Sequence, residues 1–519
     1  MPRSPHRHGC TPTDHPNIGR RRLLEAGGVS LFGLGLGDLL QTEAHGADGS
    51  TRRATAKSVV FIFQSGGPSQ HETWDPKPAA PSEVRGDYGI TSTRTVGYQI
   101  CEYLPKLAQR TDRFSIVRTL HHPAAPQFRN EHSAAKYMLQ TGRAELPPGE
   151  NTNTIALNKP RRFEWPSVGS AVAYALPEGA SFGLPPSVEI PRSNNGNRSG
   201  SGPGMLGNRF ATWNVDLAPP CRAPDSAGSC PNCFSHDQPN DPARAPGKQP
   251  GAWWDNSSCR DPSFHLPDLG LSTGLSLENL QSRAELLKQL DIARRTLDGQ
   301  AAVESLDSFR RQAWDLILGQ KGKDNPFDIA QESDATRDLY GREEWGQAFL
   351  VARRLVEAGV RMVQVNLRGW DTHQNAFRDL KGRLLPSLDH CLSGFLDDLA
   401  ARGLLDDTLI VMCGEMGRTP RISPISATGK NASGEPFTAG RHHWGDVFPC
   451  FFAGGGIQPG SVIGETDRLG GIPVSEAYTP GDLAATIFHC LGIDPQFEFY
   501  DLERRPFRLY QGQPIAKLL

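Results

Sequence analysis

Apolar positions fall into two patterns along this chain: short unbroken runs bounded by turn residues, and longer stretches with a helical period. The run Ser58-Val59-Val60-Phe61-Ile62-Phe63 is closed by Gln64-Ser65-Gly66-Gly67-Pro68-Ser69. A run without polar alternation is covered on both faces, as in a strand inside a parallel sheet. Phe114 to Leu120, Val360 to Leu367, Thr408 to Cys413 and Val447 to Ala453 read the same way. Helical spacing predicts helices over Glu131–Leu139, Gly346–Ala358, Leu384–Ala401 and Thr479–Leu491, with more helix from Leu280 to about Leu318. Gly359 and Gly403 stand where C-caps are expected, and Thr479 is the expected N-cap, with Pro480 in the first turn. Strands alternating with helices predict an α/β fold, a mostly parallel sheet flanked by helices.

Two loops then gain meaning from position. Trp370-Asp371-Thr372-His373 follows one predicted strand, and Gly414-Glu415-Met416-Gly417-Arg418-Thr419-Pro420 follows another, with a helix between. In a βαβ unit both loops open on one sheet edge, where open α/β sheets build their sites.

Composition separates the N-terminal end and one internal segment from this pattern. Residues 191–275 are rich in Gly, Pro, Asn and Ser and lack apolar periodicity, so an irregular insertion is expected there. It carries Cys221, Cys230, Cys233 and Cys259. The Cys230-Pro231-Asn232-Cys233 motif has flanking spacings of 9 and 26 positions, which match no standard zinc module. Two disulfides of open pairing are the expectation for an exported chain, with structural zinc as the other reading. Cys101, Cys391, Cys413, Cys450 and Cys490 sit in apolar contexts and read as buried free thiols. At the N-terminus, Arg20-Arg21-Arg22-Leu23-Leu24 precedes a short apolar stretch, then small residues at Ala44, Gly46 and Ala47. That order looks like a twin-arginine export signal over residues 1–46. The domain then spans 57–519, destined for the periplasm or the exterior. No later run has the apolar length of a membrane helix. A net charge of -2 argues against a nucleic-acid partner.

Candidate chemistry gathers on the predicted edge. Asp371 and His373, two apart in an extended segment, face one side and suit a divalent cation; Asp371 could equally cap the following turn. Glu415 occupies the equivalent place after the next strand, either toward that cation or paired with Arg418. His442 and His443 precede Val447–Ala453 and face opposite ways if extended, so one is read as a ligand and the other as a supporting or substrate contact. Gly66 and Gly67 permit close approach to an anion, with His71 as an optional ligand. Asn130 and His132 sit before a helix N-terminus, which favours anions. Arg418 is a candidate oxyanion clamp. No G-x-S-x-G elbow or dinucleotide fingerprint follows a predicted strand, and no Walker A loop is present.

The motifs Gly66-Gly67-Pro68-Ser69-Gln70-His71-Glu72-Thr73-Trp74-Asp75, Trp370-Asp371-Thr372-His373, Arg402-Gly403-Leu404-Leu405-Asp406-Asp407-Thr408 and Gly414–Pro420 resemble those of the domain of unknown function 1501 family, as does Asp482-Leu483-Ala484-Ala485-Thr486-Ile487. That family looks like a sulfatase-like branch of the alkaline-phosphatase-like superfamily. The resemblance implies metal ligands at the C-terminal edge of a parallel sheet. It also exposes departures: Met416 stands where the superfamily keeps a histidine, and His132 and Ser133 stand where sulfatases keep their nucleophile. The expected site is therefore one divalent cation (zinc, calcium or manganese) on Asp371, His373, Glu415 and His443. Arg418 and His132 would contact the oxyanion of a small-molecule or polysaccharide sulfate or phosphate ester. The rival expectation is a non-catalytic exported binding protein on the same fold.

Overall fold

The computed structural model describes residues 54–124, 126–145, 164–177, 181–191, 200–215, 282, 325–423, 438–501 and 503–519. Eight strands form one sheet: β1 (Ser58–Gln64), β2 (Phe114–Leu120), β3 (Ser187–Ile190), β4 (Trp213–Asn214), β5 (Met362–Leu367), β6 (Thr408–Cys413), β7 (Phe448–Ala453) and β8 (Val462–Ile463). Their order is β8-β2-β7-β6-β1-β5-β3-β4. β1 pairs in parallel with β5 and with β6, β5 with β3, β3 with β4, and β8 with β2. Only β7 is reversed, antiparallel to both β2 and β6. The sheet is thus mostly parallel, as the unbroken apolar runs predict.

Alternation along each strand divides the core. Val60 and Ile62 of β1 face the layer that includes Trp345, Phe349, Leu388 and Phe395. Val59, Phe61 and Phe63 face the opposite layer, with Ala134, Val172 and Phe488. The first layer is built by helices α4 (Glu344–Glu357) and α5 (Leu385–Ala401), with α3 (Asp334–Tyr340) beside them. The second is built by α1 (His132–Thr141), α2 (Val168–Ala175) and α6 (Pro480–Cys490). Each large apolar side chain so buried contributes about 1.5–3 kcal/mol.

Local signals explain the boundaries. α1 starts where Glu131 accepts from the Ala134 N–H and stops at Gly142, which is left-handed at φ 65°. α6 starts in a reciprocal capping box: Thr479 caps the Asp482 N–H while the Asp482 carboxylate accepts from the Thr479 N–H at 2.8 Å. β5 begins two residues later than the apolar run, because the Val360 N–H closes back on the Leu355 carbonyl at the end of α4.

Within the expected irregular insertion at 191–275, residues 200–215 belong to the sheet's edge. They form short turns and β4, with Met205, Leu206 and Val215 buried. Cys221, Cys230, Cys233 and Cys259, the N-terminal signal pattern and nearly all of the Leu280–Leu318 stretch lie outside the described residues. Cys101, Cys391, Cys413, Cys450 and Cys490 are buried and free. Among the described residues, no helix is long and apolar enough to cross a membrane.

Candidate metal centre

The ends of β1, β2, β5 and β6 and the start of β7 meet on one edge. The reversal of β7 matters here. A segment that precedes an antiparallel strand arrives on the edge that the parallel strands leave. His442 and His443 therefore join Asp371, His373 and Glu415, and a short antiparallel pairing of Gly417–Arg418 with His443–Trp444 locks the two loops together. Beyond it, the Thr419 N–H donates to the His442 carbonyl at 2.9 Å, and the Ser423 N–H to the Gly440 carbonyl at 2.8 Å.

His132, Asp371, His373 and His443 each offer a donor atom, all within 4.8 Å of one another. His373 Nε2 is 2.8 Å from His443 Nε2. Asp371 Oδ1 is 3.0 Å from His373 Nε2 and 3.3 Å from His443 Nε2, and Asp371 Oδ2 is 3.3 Å from His132 Nε2. Partners behind the rings aim these nitrogens. His443 Nδ1 donates to the Asn130 carbonyl at 2.9 Å, His132 Nδ1 to Glu415 Oε1 at 2.7 Å, and His373 Nδ1 shares a 2.9 Å contact with His442 Nδ1. His442 Nε2 continues to Ser423 Oγ at 3.0 Å. A ring nitrogen that donates outward leaves the other free to accept a proton or bind a cation inward.

The donor set fits a divalent cation. Ligands of a tetrahedral ion at about 2.0–2.1 Å lie about 3.3 Å apart, close to the 2.8–3.3 Å contacts of Asp371 and His373, while the set as a whole, spanning up to 4.8 Å, would draw inward around an ion. The charge balance agrees: two carboxylates, Asp371 and Glu415, face one guanidinium, Arg418. Burial pulls His132 down, but hydrogen bonds from Asp371 and Glu415 outweigh it and raise its pKa to about 10. Burial works against the Asp371 charge too, yet His132, His373, His443 and Arg418 hold its carboxyl far below the usual range. The same field that draws a proton to this cluster draws a metal ion.

The expected quartet thus changes by one member. Glu415 does not face the cluster; its carboxylate is buried, accepting from the Gly66 N–H at 3.0 Å and from His132. The anion anticipated beside Gly66 is this internal carboxylate. Gly66 has φ 111°, and a Cβ there would lie 2.2 Å from the Asp371 nitrogen, so the first and second site loops touch only because this residue is glycine. His132, expected at the substrate, is instead one of the four donors.

Arg418, expected to clamp an oxyanion, is fully buried and occupied by the protein itself. Nε donates to the Gly67 carbonyl at 2.9 Å and Nη1 to the Arg441 carbonyl at 3.1 Å. Nη2 donates to the Gly66 carbonyl, to the Trp370 carbonyl at 3.2 Å and to Asp371 Oδ1 at 2.5 Å. It ties loops together and leaves little for a ligand. His71 lies apart, its Nε2 donating to the Leu469 carbonyl at 2.7 Å. Asn130 acts through its carbonyl and through Oδ1, which accepts from the Gly445 N–H at 2.6 Å. Sequence reasoning missed Arg441 and Glu72, a buried pair at 2.6 Å that anchors the strand segment carrying His442 and His443. A buried histidine just after β2 supports the Glu415 loop from behind: His122 Nε2 donates to the Glu415 carbonyl at 2.5 Å.

Residues 56–519 match the family described as "Protein of unknown function (DUF1501)". The chain belongs to that family. No curated protein matches its sequence. Solved structures that it resembles include an alkaline phosphatase from the Antarctic bacterium TAB5, at 11% identity and TM-score 0.35, covering 85% of this chain and 99% of that one. The phosphonate monoester hydrolase of Agrobacterium radiobacter matches at 13% identity and TM-score 0.33, covering 90% of this chain and 77% of that one. The PsFucS1 sulfatase from Pseudoalteromonas sp. matches at 10% identity and TM-score 0.33, covering 87% of this chain and 70% of that one.

Proposed function

We propose that this protein is an exported hydrolase of sulfate or phosphate esters, small-molecule or polysaccharide, that uses one divalent cation. His132, Asp371, His373 and His443 would hold the ion. The observation that carries this reading is the convergence of their four donor atoms within 4.8 Å on the active edge of the sheet. Three imidazoles and one carboxylate favour zinc over calcium. A bound divalent cation supplies Lewis-acid polarisation of an ester oxygen and activates water.

The chain's own residues do the rest. Glu415 and the Asn130 carbonyl fix which nitrogen of His132 and of His443 faces inward. Asp371 and His373 are the most open of the four, with side chains 39% and 34% exposed, so substrate approaches from their side. In this reading water is the attacking group, activated at the ion. The twin-arginine pattern at the N-terminus supports export.

One observation favours a second reading, a non-catalytic binding protein. Four protein donors close a tetrahedral ion, as structural zinc sites do. Elemental analysis of wild type beside Asp371→Ala, with aryl sulfate and aryl phosphate assays on the same samples, tests both. The hydrolase reading expects one tightly held cation in wild type, its loss in the variant, and turnover that follows the metal. A wild type that holds the cation but turns over neither ester class leaves the binding reading; one that holds no cation sinks the site itself.

A further inference from the structure

Two buried thiols stand face to face directly beneath the candidate site. β6 and β7 are antiparallel neighbours, with Phe451 opposite Met412, Phe452 opposite Val411 and Ala453 opposite Ile410. Continuing this register one step toward the site edge would set Cys450 opposite Cys413, and the two thiols are in contact. Alternation puts both on one face: Leu409, Val411 and Cys413 share a core layer with Phe448, Cys450 and Phe452, while Ile410, Met412, Phe451 and Ala453 face the other layer. Directly opposed residues in an antiparallel pair have Cα atoms about 4.5–5.5 Å apart. A disulfide spans Cα separations of about 4.4–6.8 Å. Burial, reinforced by contact with the Cys413 thiol, pushes the Cys450 thiol up, so that sulfur stays protonated and unreactive while it is buried.

We propose that Cys413 and Cys450 form a cross-strand dithiol that closes to a disulfide and staples the two strands whose site-side ends carry Glu415 and His443. The oxidant is a small-molecule disulfide. One protein thiolate attacks it, forming a mixed disulfide and releasing one small thiol. The second protein thiolate then attacks the protein-bound sulfur, forming the Cys413–Cys450 bond and releasing the second small thiol. Two protein thiols are oxidised and one disulfide is reduced to two thiols. Both cysteines are at most 1% exposed, so exchange takes place while the edge is open and the closed bond is then shielded. The staple joins chain on either side of the loops that build the site, which restricts how far those loops separate when the chain opens.

The test uses the full chain. Wild type is held with oxidised glutathione in urea near its unfolding midpoint, returned to buffer, alkylated under denaturing conditions and mapped by mass spectrometry. The expected result is a peptide containing Cys413 linked to one containing Cys450, together with a thermal midpoint several degrees above that of the reduced protein. Cys450→Ala, treated identically, removes both the link and the rise that belongs to it, whatever the other cysteines do. Recovery of both cysteines in alkylated form overturns the pairing. A link that leaves the midpoint unchanged, or an equal rise in Cys450→Ala, overturns the staple.

Discussion

Arg418 Nη2 lies 2.5 Å from Asp371 Oδ1, so the buried cation of one site loop neutralises the carboxylate of the other. The same guanidinium holds the carbonyls of Gly66, Gly67, Trp370 and Arg441. Asp371 is partly exposed and keeps its three histidines, so the larger cost of losing Arg418 falls on those carbonyls, at about 1–3 kcal/mol for a buried group left unsatisfied. Arg418→Met is expected to lose stability on that scale, and Arg418→Lys to recover only part, because an ammonium cannot reproduce the planar fork. Urea unfolding of both variants measures it. A Lys variant as stable as wild type would show that charge alone, without the carbonyl contacts, suffices.

Glu415 acts on the cluster through His132. Glu415→Gln keeps the shape but weakens the hold on the His132 ring. Loss of such an orienting carboxylate usually costs about 10–100-fold in metal affinity. Zinc affinity by chelator competition is expected to fall within that range, with the ion still bound at saturation. Unchanged affinity would mean that His132 is oriented without Glu415.

Acid should destabilise the fold through two histidines outside the cluster. Burial pushes His71 and His122 down to about 4, from an ordinary value of 6.5. Their stabilising contribution is complete above pH 6.5, where folded and unfolded chains are both neutral. It is lost as the pH falls through 6.5 toward 4, because the unfolded chain takes up protons that the folded chain refuses. Each histidine accounts for up to about 3 kcal/mol over that window. Urea midpoints from pH 7 to pH 4 should fall less steeply in His71→Gln than in wild type. Parallel curves would place the acid sensitivity elsewhere.

Thr479 offers a control outside the cluster of four donors. Thr479→Ala removes the side chain that caps α6 and is expected to cost about 1 kcal/mol. Its metal content should equal that of wild type. If Thr479→Ala lost metal as Asp371→Ala is expected to, metal loss would report general destabilisation rather than ligand removal.

Much of the sheet was legible because buried strands write themselves as unbroken apolar runs. Phe114–Leu120 and Thr408–Cys413 match their predicted limits. Strand direction was not legible, since a doubly covered antiparallel strand has the same pattern as a parallel one; hence the reversal of β7 came only with its partners. Asp371, His373 and His443, singled out by residue type and position after or before a strand, do lie together on one edge. The exchange of His132 for Glu415 could not be read. Both side chains stand at the same edge, and which one faces the centre depends on how the first residue of α1 meets the loop after β6. Arg441 and Glu72 are 369 positions apart, with no local pattern to join them.

The pairing of Gly417–Arg418 with His443–Trp444, closed again at Ser423 and Gly440, forms a neck. Chain leaves at one side of that neck and re-enters at the other, at a separation set by backbone hydrogen bonds rather than by what lies between. His443 and Arg418 therefore keep their places through this ladder, whatever the chain beyond Ser423 and Gly440 does. A site braced in this way can exchange neighbouring side chains without its own reactive groups shifting.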